Sequence, residues 1–177
     1  MKKFLVILFI LVLAIPTFAQ EQKVPKGYEF YKEKYEEDFT SNFETIWNAV
    51  LYSLEEIGCQ VQNKNTRIND EGFYRGVVQS DFCVFSMGDT TFNVLKKYSL
   101  DMPFIRAGKW DNGRLQYKFI VQEKGENNVH LVMTTEMSGF ESYVTGKVHF
   151  WRSNGILELA MLERIKNNIG KKPAGMN

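Results

Sequence analysis

The sequence predicts an α+β fold: an antiparallel β-sheet with an N-terminal amphipathic helix and a long C-terminal helix packed on one face. Apolar residues recur with helical spacing in residues 42–57 and again in residues 156–169. Between them, apolar and polar residues alternate, which is the period of a strand with one buried face. The predicted strands and helices do not alternate along the chain, so a parallel sheet is not indicated. We expect a single domain over residues 32–170.

Residues 1–19 have the layout of a secretory signal peptide. Lys2 and Lys3 precede the apolar run 4–15, and small residues allow cleavage after Ala19. A twelve-residue helix rises about 18 Å, which is too short for a hydrocarbon core of about 30 Å. No cysteine near Ala19 could carry a lipid. We therefore expect a periplasmic or extracellular bacterial protein with no stable membrane anchor after cleavage.

Composition excludes some classes of partner. Cleavage after Ala19 leaves 158 of the 177 residues, enough for one domain with a substantial core. Loss of Lys2 and Lys3 changes the formal net charge from +1 to −1. A nearly neutral chain is not expected to bind nucleic acid, which requires a basic face. The same balance argues against strong electrostatic docking to anionic lipid.

Two cysteines, Cys59 and Cys83, remain in the mature chain. The expected compartment is oxidising, so a disulfide between them is possible. A hairpin of segments 59–68 and 72–84 with its turn centred on Glu71 places the two cysteines opposite each other. Two buried free thiols that pack as small apolar groups are the alternative.

The N-terminal part of the mature chain begins with a flexible lead-in over residues 20–31, and residues 32–39 favour a strand. Ser41 and Glu44 fit a capping box for the helix 42–57, and Gly58 ends it. The buried stripe of this helix consists of Phe43, Ile46, Trp47, Val50, Leu51, Leu54 and Ile57.

The middle of the chain predicts a short helix over residues 92–99. Asp111-Asn112-Gly113 is a strong hairpin signal, because Asn-Gly tolerates the positive φ angles of a type I′ turn. Segments 115–122 and 129–136 alternate in polarity and are expected to pair as antiparallel strands.

The C-terminal part predicts strand structure over residues 140–151, which a bulge or a break at Gly146 would bend. Even-numbered residues form its oily face, which we expect to point inward. Ser153 is the expected cap of the final helix, Gly170 ends that helix, and residues 171–177 form a disordered tail.

No pattern of catalytic or metal-binding residues is present. His130 and His149 fall on different strands without metal-ligand spacing. Ser142 and His149 have opposite strand parity, so they do not form part of a triad on a regular strand. Paired carboxylates are the one chemistry left open, and Asp81 is a candidate if it is buried. We expect no enzyme, no cofactor and no metal.

The stretches NFETIWNAVLYSLEEIGCQV (42–61) and NGILELAMLERI (154–165) resemble the helix-grip domains. Among these, the chain looks most like the small periplasmic domains of the BamC (NlpB/DapX) type, which are found in envelope assembly. Those proteins are lipid-anchored through a cysteine at the cleavage site, and this chain has none. The resemblance therefore implies a fold and a compartment, and no functional residue is transferred.

We interpret the chain as a non-enzymatic binding domain of the cell envelope, whose partner is an envelope protein. The candidate interaction patch is the odd-numbered face with Tyr143, His149 and Trp151. The alternative is a carrier of an apolar, lipid-like small molecule in a cavity between the sheet and the C-terminal helix. An enzyme that uses acids alone is a third hypothesis.

Overall fold

A computed structural model describes residues 27–174, so the predicted signal peptide, its cleavage site and residues 175–177 lie outside the described part. The fold is α+β, with one antiparallel sheet of seven strands and three helices. None of the helices in residues 27–174 has the length and hydrophobicity needed to cross a membrane. In chain order the elements are β1 (Tyr35–Phe39), α1 (Phe43–Glu56), β2 (Val61–Ile68), β3 (Tyr74–Ser80), β4 (Cys83–Met87), α2 (Thr91–Tyr98), β5 (Trp110–Gly125), β6 (Asn128–Glu141), β7 (Lys147–Trp151) and α3 (Ile156–Asn167).

The long hairpin of β5 and β6 is the spine of the sheet. Its strands pair from Trp110 and Glu141 at one end to Gly125 and Asn128 at the other. Each outer side of the spine is shared by two short strands: β1 and β7 pair with β6, and β3 and β4 pair with β5. β2 pairs with β3 at the edge of the sheet. We call the end of the spine at Trp110 and Glu141 the loop end.

The predicted pairing of segments 115–122 and 129–136 is confirmed within this spine. The predicted turn at Asn112 and Gly113 is wrong, because β5 runs straight through both residues. A side-chain Cβ at Gly113 would lie 2.6 Å from Cδ2 of Leu95 on α2. The glycine therefore allows α2 to pack closely on the strand, and the chain does not turn there.

α1 begins one residue later than the capping box predicts. Asn42 is the N-cap, and its Oδ1 accepts a hydrogen bond from the Thr45 N–H at 2.8 Å. Ser41 is therefore not the cap. The helix ends before Gly58, whose φ of +70° is the left-handed conformation that glycine favours.

The core lies on the sheet face that carries the odd-numbered side chains of β5 and β6. Burial of each large apolar side chain on this face contributes about 1.5–3 kcal/mol. α1 reaches the same face at β3, where Gly76 leaves room for the Trp47 ring. The buried side chains of β5 and β6 include Leu115, Tyr117, Phe119, Val121, Val129, Leu131, Met133 and Met137.

Polar contacts join α3 to α1. Asn168 Nδ2 donates to Ser53 Oγ at 3.1 Å, and Arg164 Nη1 lies 2.6 Å from Glu56 Oε2. Asn168 also donates a hydrogen bond to Glu56, and this bond, followed by the one from Arg164, lowers the pKa of Glu56. The described tail residues 171–174 also contact α1, since the Ala174 N–H donates to a Glu55 oxygen at 3.1 Å.

Candidate functional site

Residues 140–151 form a hairpin, and the prediction of strand structure throughout them is wrong. β6 ends at Glu141, the chain turns through residues 142–146, and β7 returns antiparallel to β6. Gly146 has a φ of +61° and closes the turn. The register pairs Met137 with Trp151 and Glu141 with Lys147.

The carboxylate of Glu141 holds this turn. Oε1 accepts the N–H groups of Lys109 and Tyr143 at 2.9 and 2.8 Å. Oε2 accepts the Thr145 N–H at 2.6 Å and its hydroxyl at 2.8 Å. Burial alone raises the pKa of Glu141, but the N–H groups of Thr145, Val144 and Lys109 outweigh it and hold that pKa far below its ordinary value.

The hairpin places Trp151 inside the protein. Opposite residues of an antiparallel pair share a face, so Trp151 lies on the core face with Met137. It is 8% exposed, its ring centroid lies 5.3 Å from that of Trp110, and its Nε1–H donates to Ser99 Oγ at 2.6 Å. Trp151 is therefore a buried residue of the core face, and the predicted interaction patch is wrong in placing it on an exposed surface.

The other two residues of the predicted patch are separated. Tyr143 lies on the turn and is 76% exposed. His149 is half-buried on β7, where its Nε2 lies 2.8 Å from Thr145 Oγ1 and its ring packs against Trp110. The three predicted residues do not form one exposed surface.

The exposed apolar residues of this region lie on the opposite, even-numbered face. The register places Val84, Arg114, Ser138 and Phe150 in one row across β4, β5, β6 and β7. Val84 is 51% exposed and Phe150 is 55% exposed.

A second row and a neighbouring ring extend this surface. Phe140 pairs with Val148, which is 39% exposed, and the Phe82 ring lies 6.0 Å from that of Phe150. We call Phe82, Val84, Phe140, Val148 and Phe150 the open-face patch.

Two polar groups lie beneath the open-face patch. Arg114 Nε and Ser138 Oγ are buried and have no hydrogen-bond partner among residues 27–174. The guanidinium carbon of Arg114 lies 5.4 Å from the centre of the Phe82 ring, within the range of a cation–π contact. An unpaired buried polar group costs about 1–3 kcal/mol.

A disulfide joins Cys59 to Cys83 at the edge of the open-face patch, with the two Cα atoms 5.2 Å apart. Neither cysteine of the described chain is a free thiol. Cys83 stands between Phe82 and Val84, at the first residue of β4. The bond therefore ties two patch residues to the end of α1.

Comparison with protein-family models gave no match, and a search of curated proteins found no significant similarity. The residues and contacts of the chain itself therefore carry the functional proposal.

The remainder of the even-numbered face is mixed, because the half-buried residues Val77, Ile120 and Val132 form an apolar row across β3, β5 and β6. Lys118 pairs with Thr134, and Gln122 pairs with His130. His130 Nδ1 lies 2.7 Å from an oxygen of Asp38 on β1. The strongly exposed apolar residues of this face include Val84, Val148 and Phe150, which lie in the half of the sheet nearer the loop end.

The acidic residues of the described segment offer no metal site. Residues 27–174 contain no group of three or more His, Cys, Asp or Glu side chains that could hold a metal. Asp81, the candidate from the sequence, is exposed. Besides Glu141, Glu158 is a buried acid, and it belongs to the first turn of α3.

Glu158 is fully buried, and sequence reasoning missed it. Its Oε1 accepts the hydroxyls of Thr135, at 2.6 Å, and of Ser153. Ser153 therefore binds this carboxylate and does not cap α3, whose N-cap is Gly155 with a φ of +92°. Burial, and to a smaller degree the Glu158 charge, raises the pKa of Tyr35 to about 12. The burial of Glu158 could have been predicted from its helical spacing with the buried residues Met161, Leu162 and Ile165.

A pocket lies between α3 and the sheet, where the alternative hypothesis places a ligand cavity. Its volume is about 230 Å³, and its lining includes Leu115, Tyr117, Leu157 and Met161. Ligand sites usually enclose about 300–1,000 Å³. This pocket accommodates a small apolar group and is too small for a lipid chain and headgroup.

Proposed function

We propose that the chain is an exported, non-enzymatic binding domain of the bacterial cell envelope, and that it contacts an envelope protein through the open-face patch. The observation that carries the proposal is the row Val84, Arg114, Ser138 and Phe150, together with its neighbour Val148. Single exposed apolar residues are common on protein surfaces, but a contiguous group on one sheet face is typical of an interaction surface.

The composition of the patch favours a protein as the partner. Aromatic and arginine side chains are enriched at the centres of protein interfaces, where they are shielded from water. A partner that covers Phe82 and Phe150 would shield Arg114 further.

Export and the helix-grip-like arrangement are part of the same proposal. The signal-peptide pattern of residues 1–19 supports export, and a disulfide such as Cys59–Cys83 persists in an oxidising compartment. The contacts of α1 and α3 with each other support a helix-grip-like arrangement of the N-terminal and C-terminal helices. The resemblance of segments 42–61 and 154–165 to BamC-type domains supports the envelope as the location.

The experiment compares the mature chain with the double variant Val148→Ser/Phe150→Ser. A photo-crosslinking residue at position 84 identifies the partner in cells, and the purified partner is then titrated against each protein. We expect binding to weaken at least about tenfold in the double variant, because each residue is an apolar anchor of the interface.

The matched control is Phe104→Ser, which removes an exposed ring that lies outside the patch. It should bind the partner like the unchanged protein, and all three proteins should unfold at the same urea concentration. Equal affinity of the double variant and the unchanged protein would refute the patch as the binding surface.

The carrier hypothesis needs a lipid-sized cavity, and the pocket of about 230 Å³ next to α3 is smaller than that. Native mass spectrometry of protein purified from a periplasm tests it. A lipid-sized adduct that is lost on denaturation would favour a carrier, and a bare protein would favour the binding domain.

A further inference from the structure

A second set of exposed apolar residues lies at the loop end of the sheet. Phe104 is 91% exposed, which is unusual for so large an apolar side chain. The set comes from three segments, which are residues 87–92 around the β4–α2 turn, the loop over residues 102–109 and the β6–β7 turn over residues 142–146. Its members are Met87, Phe92, Phe104, Tyr143 and Val144.

Hydrogen bonds hold the three segments together. Asp111 accepts the Gly88 N–H through its carbonyl at 3.2 Å and the Ser142 hydroxyl through its carboxylate at 2.8 Å. Glu141 joins the N–H groups of Lys109 and Tyr143 on one oxygen. The β4–α2 turn and the β6–β7 turn are thus both tied to the start of β5.

The loop over residues 102–109 lies against α2. Between them is a groove of about 480 Å³ whose lining includes Phe92, Lys96, Phe104 and Ile105. The groove places Phe104 and Phe92 on the same side as a lysine. The apolar tips therefore share one end of the molecule and are held by contacts within the fold.

Cations surround these tips. Lys96, Arg106, Lys109 and Lys147 are all exposed, and none of them forms an ion pair within residues 27–174. The segments 87–92, 102–109 and 142–147 contain three cations, Arg106, Lys109 and Lys147, and one acid, Asp89, while Asp101, Asp111 and Glu141 flank them. The near-zero charge of the whole chain conceals this local excess.

We propose that the loop end binds reversibly to the surface of a bilayer that contains anionic phospholipid. Aromatic side chains favour the headgroup region, where Phe104 and Tyr143 would lie. Adjacent lysine and arginine side chains are attracted to anionic headgroups. Separate apolar tips on three turns suit shallow insertion among lipids, whereas the flat open-face patch suits a folded partner. The inference does not rest on the proposed protein partner, because the two surfaces use different residues.

The test is co-sedimentation of the chain without residues 1–19 with lipid vesicles. All described elements lie within residues 27–174, so this form retains the fold, and it lacks an apolar leader that would itself bind lipid. The vesicles are phosphatidylcholine alone and an equimolar mixture of phosphatidylcholine and phosphatidylglycerol. We expect binding to the mixture, weaker binding to phosphatidylcholine, and weakening by salt.

Two variants separate the apolar and the electrostatic contributions. Phe104→Ser/Tyr143→Ser should weaken binding to the mixed vesicles at least about tenfold, because it removes two inserted rings. Lys96→Glu/Lys109→Glu should abolish the difference between the two vesicle compositions. Each substituted side chain is exposed, so the urea unfolding midpoint should not change.

The control Val148→Ser/Phe150→Ser changes the open-face patch and should bind vesicles like the unchanged protein. Absence of binding to the mixed vesicles would overturn the inference. It would also fail if Phe104→Ser/Tyr143→Ser bound normally, or if those substitutions weakened only binding to a purified protein partner. Loss of vesicle binding in the control variant alone would move the lipid contact to the open-face patch and would count against both proposals.

Discussion

Reduction of the Cys59–Cys83 disulfide should destabilise the protein by an amount that follows from the loop it closes. The two cysteines are 24 residues apart in sequence. In the chain-entropy description, opening a loop of this length increases the conformational entropy of the unfolded chain. The free energy of unfolding therefore falls by about 3.5 kcal/mol. The bond joins the end of α1 to the start of β4, so its loss should also loosen Phe82 and Val84.

The assay is urea unfolding followed by the fluorescence of Trp47, Trp110 and Trp151, with and without reductant. A loss of about 3.5 kcal/mol lowers the unfolding midpoint by roughly 1.5–2 M urea for a protein of this size. Intact mass establishes whether the bond has opened, since reduction adds two hydrogen atoms. The variant Cys59→Ala/Cys83→Ala is the control, and reductant should not move its midpoint.

Two results would refute this reasoning. If the intact mass does not change under reductant in denaturant, the two cysteines are not bonded. If the mass changes and the midpoint does not, the bond forms but does not restrain the unfolded chain.

Two further predictions concern a buried acid and a helix cap. The folded-state pKa of Glu141 lies below its ordinary value of 4.5, so its contribution to stability is complete above that pH and is lost as the pH falls below it. Glu141→Gln should therefore flatten the acid side of the stability curve measured by thermal unfolding between about pH 3 and 7; identical slopes for the two proteins would contradict this. Asn42→Ala should lower the free energy of unfolding by about 1 kcal/mol through loss of the α1 cap, whereas Ser41→Ala should change it by a few tenths at most. Equal effects of the two substitutions would show that Asn42 is not the cap.

The class of the fold and its central strand pair could be predicted from the sequence. Alternating polarity along segments 115–122 and 129–136 reports a sheet with one buried face, and this pattern is local. The Asn112-Gly113 pair carries an equally strong local signal for a turn, but the structure overrides it. The reason is distant in sequence, because Leu95 of α2 occupies the space that a side chain at Gly113 would need.

The candidate site was harder to predict, because its faces depend on how far β6 extends. With residues 140–151 as a single strand, Phe150 points inward and Trp151 outward. The turn over residues 142–146 exists because the Glu141 carboxylate collects N–H groups from that turn and from Lys109. β6 runs on to Glu141 with its odd-numbered side chains on the core face, and odd-numbered β7 residues pair with odd-numbered β6 residues. Treating residues 140–151 as a strand separate from β6 therefore assigned the exposed and buried faces the wrong way round.

The arrangement of the spine has a consequence for the order of folding. β5 and β6 are joined by a short turn at Glu126 and Asn127, so the longest strand pair in the sheet forms between neighbours in sequence. β1 reaches the same spine only after most of the chain has been made, since Tyr35 pairs with Met133. Closing a long loop costs entropy before its contacts are gained. We therefore expect a nucleus at the spine, onto which the short strands at both ends dock independently.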